Sequence, residues 1–130
     1  MVVIDASAAI ELLLGTRTGA AVEARLFSAP EELHAPHLID VEIAHVIRRW
    51  LLQESIDSVR ARTAFDDLGA LPIVRYGHEI LLPRIWELRN NLSAYDAAYV
   101  ALAELLDVPL LTCDRRLASA SGHRARVEAF

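Results

Sequence analysis

The chain has 130 residues, 54% hydrophobic and 24% charged, with a net charge of −5. That length suits one domain with a real core and is short for two, and the apolar share excludes an intrinsically disordered chain. The negative total argues against a protein that grips nucleic acid through a broad basic face, and the longest apolar run, Ala97 to Ala103, is far below the roughly 20 residues that span a bilayer.

Val2-Val3-Ile4 reads as a short buried strand that ends in Asp5. Asp5 interrupts the apolar run too early for a secretory signal. Ser7 opens an amphipathic stretch, and helices are expected over Ala8 to Leu14 and Gly19 to Phe27, followed by a loop from Pro30 to Pro36. A long amphipathic helix should run from His37 to about Gln53. On its wheel, at about 100° per residue, Ile39, Ile43, Val46, Ile47 and Trp50 share one arc, with Glu42 and Asp40 at its opposite edges. The wheel does not choose between those two acids, and Glu42 is spaced from His45 and Arg49 for ordinary surface ion pairs.

Ser55 and Asp57 cap a helix reaching about Leu68, Leu71-Pro72-Ile73-Val74 reads as a strand, and a further helix should cover His78 to Arg89. Asn90 to Ser93 breaks it. Ser93 with Asp96 makes a capping-box-like start for an almost wholly apolar helix from Ala94 to Leu106, which must be buried. After the turn at Asp107-Val108-Pro109, Leu110-Leu111-Thr112-Cys113-Asp114 repeats the opening layout of a buried strand closed by an acid, with a new segment from Arg115. The lone Cys113 cannot form an internal disulfide, fits a reducing cytoplasm and reads as a small buried strand residue. A last short strand is expected within Arg126 to Phe130.

Strands alternating with helices imply an α/β domain with a parallel sheet, here four to five short strands layered with about seven helices over residues 1–130. In such sheets ligands gather at the carboxyl ends of strands. Asp5, Asp96 and Asp114 stand at element junctions, and Glu42 on its helix can join them. Each acid alone has a plain structural account: Asp5 and Asp114 as helix caps, Asp96 as the partner of Ser93, Glu42 as a surface ion-pairing residue. Together they make one acidic cluster. Carboxylates packed a few Å apart repel, and a divalent cation removes that penalty. An oxygen-only donor set favours Mg²⁺ or Mn²⁺ over zinc, and His34, His37, His45, His78 and His123 show no metal-ligand spacing.

The four segments, Val-Val-Ile-Asp5-Ala-Ser-Ala, Asp-Val-Glu42-Ile-Ala, Leu-Ser-Ala-Tyr-Asp96-Ala-Ala-Tyr-Val-Ala-Leu-Ala-Glu and Leu-Leu-Thr-Cys-Asp114-Arg-Arg-Leu-Ala, resemble a PIN domain across essentially the whole chain, most of all the VapC toxins of bacterial toxin–antitoxin pairs. The resemblance implies a Mg²⁺- or Mn²⁺-dependent endoribonuclease in the cytoplasm. In it Asp5, Glu42, Asp96 and Asp114 form the catalytic metal pocket, supported by the hydroxyls of Ser7 and Thr112, with Asp40 outside the set. It also implies a homodimer without membrane contact, inhibited by a cognate VapB-like antitoxin. The antitoxin is expected along the first three helices, where charge reversal at Leu12 and Leu51 should weaken it.

All 13 basic residues are arginine, which reads as base composition as readily as function. Arg115 and Arg116 beside Asp114, and Arg48 and Arg49 near Glu42, are candidate phosphate contacts or plain solvated helix residues. Single-stranded or looped RNA is favoured over duplex, because RNA sequence is read mostly on unstacked bases. A phosphatase of the haloacid-dehalogenase kind would want an acid two residues after Asp5, where Ser7 stands. A receiver domain would need a lysine, and the chain has none. A non-catalytic module with an idle acidic site is the other alternative.

Overall fold

The computed structural model describes residues 1–28 and 30–130. The elements run β1 (Val2–Ile4), α1 (Ala6–Leu13), α2 (Arg17–Phe27), β2 (Leu33–Pro36), α3 (Leu38–Leu52), α4 (Ser58–Ala70), β3 (Ile73–Tyr76), α5 (Leu82–Glu87), α6 (Ala94–Leu106), β4 (Leu110–Thr112), α7 (Arg115–Ser119) and β5 (Val127–Ala129). The strands form one sheet in the order β3-β2-β1-β4-β5, and every neighbouring pair is parallel. The chain fills one side of β1 with β2 and β3, then crosses to the other with β4 and β5. That reversal opens a crevice outside the carboxyl ends of β1 and β4, where Asp5 and Asp114 stand.

Val2, Val3, Ile4, Leu110, Leu111 and Thr112 are all fully buried, as expected of central strands with both faces covered. Helix α6 begins and ends where its sequence signals put it. The Ser93 hydroxyl accepts from the Asp96 amide at 3.1 Å, and Asp107 terminates the helix in the left-handed region at φ 52°. Its run Ala97–Ala103 is buried throughout, and the small side chains let the helix lie close against β1, β2 and β4. On α3, Ile39, Ile43 and Ile47 are buried while Val46 and Trp50 pack at the margin of the core.

Three local expectations are corrected. The segment expected as a loop from Pro30 to Pro36 contains β2, which pairs with both β1 and β3. Its Leu-His-Ala-Pro sequence has little strand character, and the neighbouring strands create it. His34, only 3% exposed, places Nδ1 2.9 Å from the Tyr76 hydroxyl, while Pro36 lies at the strand's end, where a missing N–H costs least. Second, the helix expected over His78 to Arg89 is confined to Leu82–Glu87, with Pro83 in its first turn fixing the start. His78 instead accepts the Leu38 amide on Nε2 at 3.2 Å, capping α3 where His37 makes no side-chain cap. Third, Cys113 lies past the end of β4 and is partly exposed. Burial, then Asp5 and Glu11, push its thiol up to about 11.

Helices α1 and α2 touch at Gly19, where an added Cβ would stand 2.0 Å from the Glu11 carbonyl oxygen. Backbone cannot yield as a side-chain tip does, so Gly19→Ala must push the helices apart. A loss of about 2 kcal/mol is expected, in the range for overpacking, and urea unfolding would measure it.

Candidate metal centre

Asp5 follows β1 directly, and the β1–β4 pairing fixes what it faces. Ile4 is in register with Leu111, the Asp5 amide donates to the Leu111 carbonyl at 3.1 Å, and Thr112 is therefore the next neighbour across. Three donors converge on the Asp5 carboxylate. Oδ1 accepts the Ser7 hydroxyl at 2.6 Å and the Ala8 amide at 2.9 Å, and Oδ2 accepts the Thr112 hydroxyl. Asp5 thus caps α1, as its position before a helix foretold, yet it is only 5% exposed. The loop after β4 is pinned to the same group, since Cys113 N donates to Ser7 Oγ at 2.8 Å and Asp114 N to Thr112 Oγ1 at 2.9 Å.

Glu42 reaches the group from α3. Its Oε2 accepts the Tyr99 hydroxyl at 2.5 Å, and it feels the charges of Asp5 and Asp96. Asp40, which the helical wheel could not separate from Glu42, faces the other way into a two-pronged ion pair with Arg75 of β3, at 2.7 and 2.8 Å. Asp96 lies in the first turn of α6 and Asp114 caps α7 through the Arg116 amide at 2.8 Å. The Arg116 guanidinium touches Asp114 only at 3.5 Å, and its side chain is 94% exposed. Arg115 is exposed as well. Arg48 and Arg49 are exposed on α3, about 10 Å along the helix axis from Glu42.

Tyr99 was legible only as part of a buried apolar run. The signal for more was its place three residues after Asp96, on the same helical face. Burial and the adjacent Glu42 hold its hydroxyl far above the usual tyrosine range, so it stays a donor.

Three of the four acids are pushed above the ordinary carboxyl range. For Asp5 burial raises it against the Ser7, Thr112 and Ala8 contacts, with Asp96 adding to the rise. For Glu42 burial leads, opposed by Tyr99 and reinforced by Asp5 and Asp96. For Asp96 burial leads again, Ser93 opposes, Asp114 adds and Arg116 subtracts. Burial also acts upward on Asp114, but the Arg116 amide and guanidinium outweigh it and hold that carboxyl low. Among the described residues Asp5, Glu42 and Asp96 have no salt-bridge partner. No three His, Cys, Asp or Glu side chains among them close into a finished ligand cluster. Even so, desolvated, mutually repelling carboxylates of which three have no ion-pair partner among the described residues are the donor type that a hard divalent ion takes.

A folded-state carboxyl with a raised pKa keeps a proton that the unfolded chain has released above about pH 4. Its contribution is therefore favourable at low pH and is lost as pH rises through the folded value. Buried His34, held below the usual imidazole range, acts the opposite way between pH 7.5 and pH 5, so the acids are read by difference: in chelator Asp5→Asn should gain more in melting temperature over the wild type at pH 7.5 than at pH 5. An equal gain at both pH values would contradict this.

No helix among the described residues is long and apolar enough to cross a membrane. A family model described as the PIN domain matches residues 2–122. Among curated proteins, the chain is 43% identical over 128 residues to ribonuclease VapC12 of Mycobacterium tuberculosis, covering 98% of each. It is 46% identical over 117 residues to the VapC ribonuclease Mb0985 of Mycobacterium bovis, covering 90% of this chain and 88% of the relative. Among solved structures, VapC20 of Mycobacterium tuberculosis, titled a sarcin-ricin loop cleaving toxin, superposes with a TM-score of 0.70 at 13% identity, over 92% of this chain and 94% of that one. At that identity the likeness concerns the fold.

Proposed function

The chain belongs to the PIN-domain family, and from that premise we propose that it is a VapC-type toxin, an endoribonuclease that depends on Mg²⁺ or Mn²⁺. The observation that supports this most directly is that acids from four distant parts of the sequence, Asp5 after β1, Glu42 on α3, Asp96 at the start of α6 and Asp114 after β4, act on one another's carboxyl groups, while among the described residues only Asp114 of the four is in an ion pair. Asp5, Glu42, Asp96 and Asp114 would hold the metal. When bound, it supplies acidification of a water molecule and neutralisation of charge on the phosphodiester.

The residues of the chain do the positioning. Ser7 and Thr112 lock the Asp5 carboxylate and tie it to the loop that carries Asp114. Arg115 and Arg116 open α7 beside Asp114, where a phosphate of a bound single strand would lie, while Arg48 and Arg49 would meet a more distant one. Incubation of the purified chain with single-stranded RNA in Mg²⁺, Mn²⁺ or chelator tests the reading. Cleavage is expected only with metal; equal cleavage in chelator, or none anywhere, would remove it.

A cognate antitoxin and a homodimer complete the proposal, with the cytoplasm as the site of action. The apolar surface expected along three helices is divided in the structure. Leu12, Leu26, Phe27, Pro30, Leu33 and Leu71 line one groove of about 610 Å³ together with Glu23 and Glu31. Helix α3 contributes to another, of about 450 Å³, where Leu38, Val41, Val46 and Tyr95 surround Glu42. Leu51 belongs to neither. Leu12→Glu should therefore weaken antitoxin capture in a pull-down about tenfold or more, the scale of a central interface residue, and Leu51→Glu should do less; unchanged capture by the Leu12 variant would move the antitoxin elsewhere.

A further inference from the structure

We propose that Tyr99 is a positioning residue of the acidic site, holding the Glu42 carboxylate where it can take part in binding a divalent cation; this rests on the metal-dependent reading above. The Asp5 carboxylate has Ser7, Thr112 and the Ala8 amide and that of Asp114 has the Arg116 amide, while Asp96 carries a short side chain on the first turn of α6, whose start is fixed by the bond from the Asp96 amide to Ser93. Glu42 is different. It extends a longer side chain from the second turn of α3, with more rotamer freedom to lose, and among the described residues no neighbour on α3 bonds its carboxylate.

Among the described residues its single hydrogen-bond donor is the Tyr99 hydroxyl, at 2.5 Å. Tyr99 is itself immobile, at 2% exposure within the buried run of α6. Its hydroxyl is the one polar side-chain atom of Ala97–Ala103, and packing alone would be met by phenylalanine. One phenol therefore ties Glu42 on α3 to α6, the helix that carries Asp96. Groups that orient a metal ligand in this way contribute about 10–100-fold to metal affinity.

The test is a double-substitution cycle read by Mn²⁺ binding, using electron paramagnetic resonance of the free ion, on the wild type, Tyr99→Phe, Glu42→Gln and the double variant. Tyr99→Phe should weaken Mn²⁺ binding about tenfold with native circular dichroism. In the Glu42→Gln background the same change should cost less than about twofold, because the two side chains act as a unit. Equal losses in both backgrounds would mean that Tyr99 supports the fold and not Glu42, and unchanged affinity would overturn the proposal outright. A second measurement needs no change at position 99. The ¹³Cζ resonance of Tyr99 should move on addition of Mg²⁺ to the wild type and stay still in Glu42→Gln; a resonance indifferent to Mg²⁺ in the wild type overturns the proposal. A wild-type chain that binds no Mn²⁺ removes the metal-dependent reading and this inference with it, whereas binding indifferent to Tyr99 removes this inference alone.

Discussion

Asp5→Asn is expected to cut metal-dependent RNA cleavage by more than about a hundredfold, beyond the effect of losing a group that merely orients a ligand, while leaving the chelated protein at least as stable as the wild type. The two halves of this result come from the same geometry. Asparagine retains an oxygen for the Ala8 amide and caps helices as well as aspartate does, so α1 keeps its start. The charge disappears, and with it the cost of a buried carboxylate facing Asp96. Asp96→Asn should behave alike, since Ser93 and not Asp96 supplies the cap of α6. Cleavage assays paired with thermal unfolding in chelator and in Mn²⁺ provide the measurement. If Asp5→Asn melts many degrees lower in chelator, Asp5 is primarily a structural cap.

Glu104→Ala should have the largest effect on stability, at a place remote from the chemistry. Its side chain is 7% exposed and takes two bonds from Arg84, at 2.6 and 3.0 Å, and a third from the Arg124 amide at 2.6 Å. It holds α5 and the segment before β5 against α6. Removal leaves a partly buried guanidinium and an amide without their acceptor, at a cost of about 2–3 kcal/mol, or roughly 10 °C in melting temperature for a chain of this size. The loss should be the same with and without Mn²⁺, which separates it from any change at the acids. Arg84 holds the Glu104 carboxyl below its usual range, against burial. Such a group stabilises above its unfolded pKa of about 4.3, and that stability is lost as pH falls through the lower folded value. Glu104 and the site acids thus pull the acid limb of the stability curve in opposite directions, and Glu104→Ala should flatten only the fall at the lowest pH.

What the sequence discloses depends on whether the deciding neighbour is local. Helix α6 is bounded by its own residues, a serine cap before it and a left-handed aspartate after it, and its limits are legible to the residue. Strand β2 has no such local authorship. Leu-His-Ala-Pro becomes a strand because β1 and β3 offer ladders on both sides, and the partner that suits the buried His34 is a tyrosine 42 residues away. The choice between Asp40 and Glu42 is of the same kind. A wheel gives both acids equivalent places, and only the position of Arg75 on β3 shows that Asp40 is already paired. Tyr99 hides for the opposite reason, because one hydroxyl does not disturb an otherwise apolar pattern.

The β1–β4 pairing joins residues 107 positions apart, as the bond from Thr112 to Asp5 records. During synthesis from the N-terminus, β1 can find β2 early but must wait for its other neighbour. A growing chain therefore cannot complete the proposed acidic site until Asp114 has been made and β4 has docked. If the proposed function holds, the order of the strands would delay armament, and a toxin of this design would be harmless through most of its own translation.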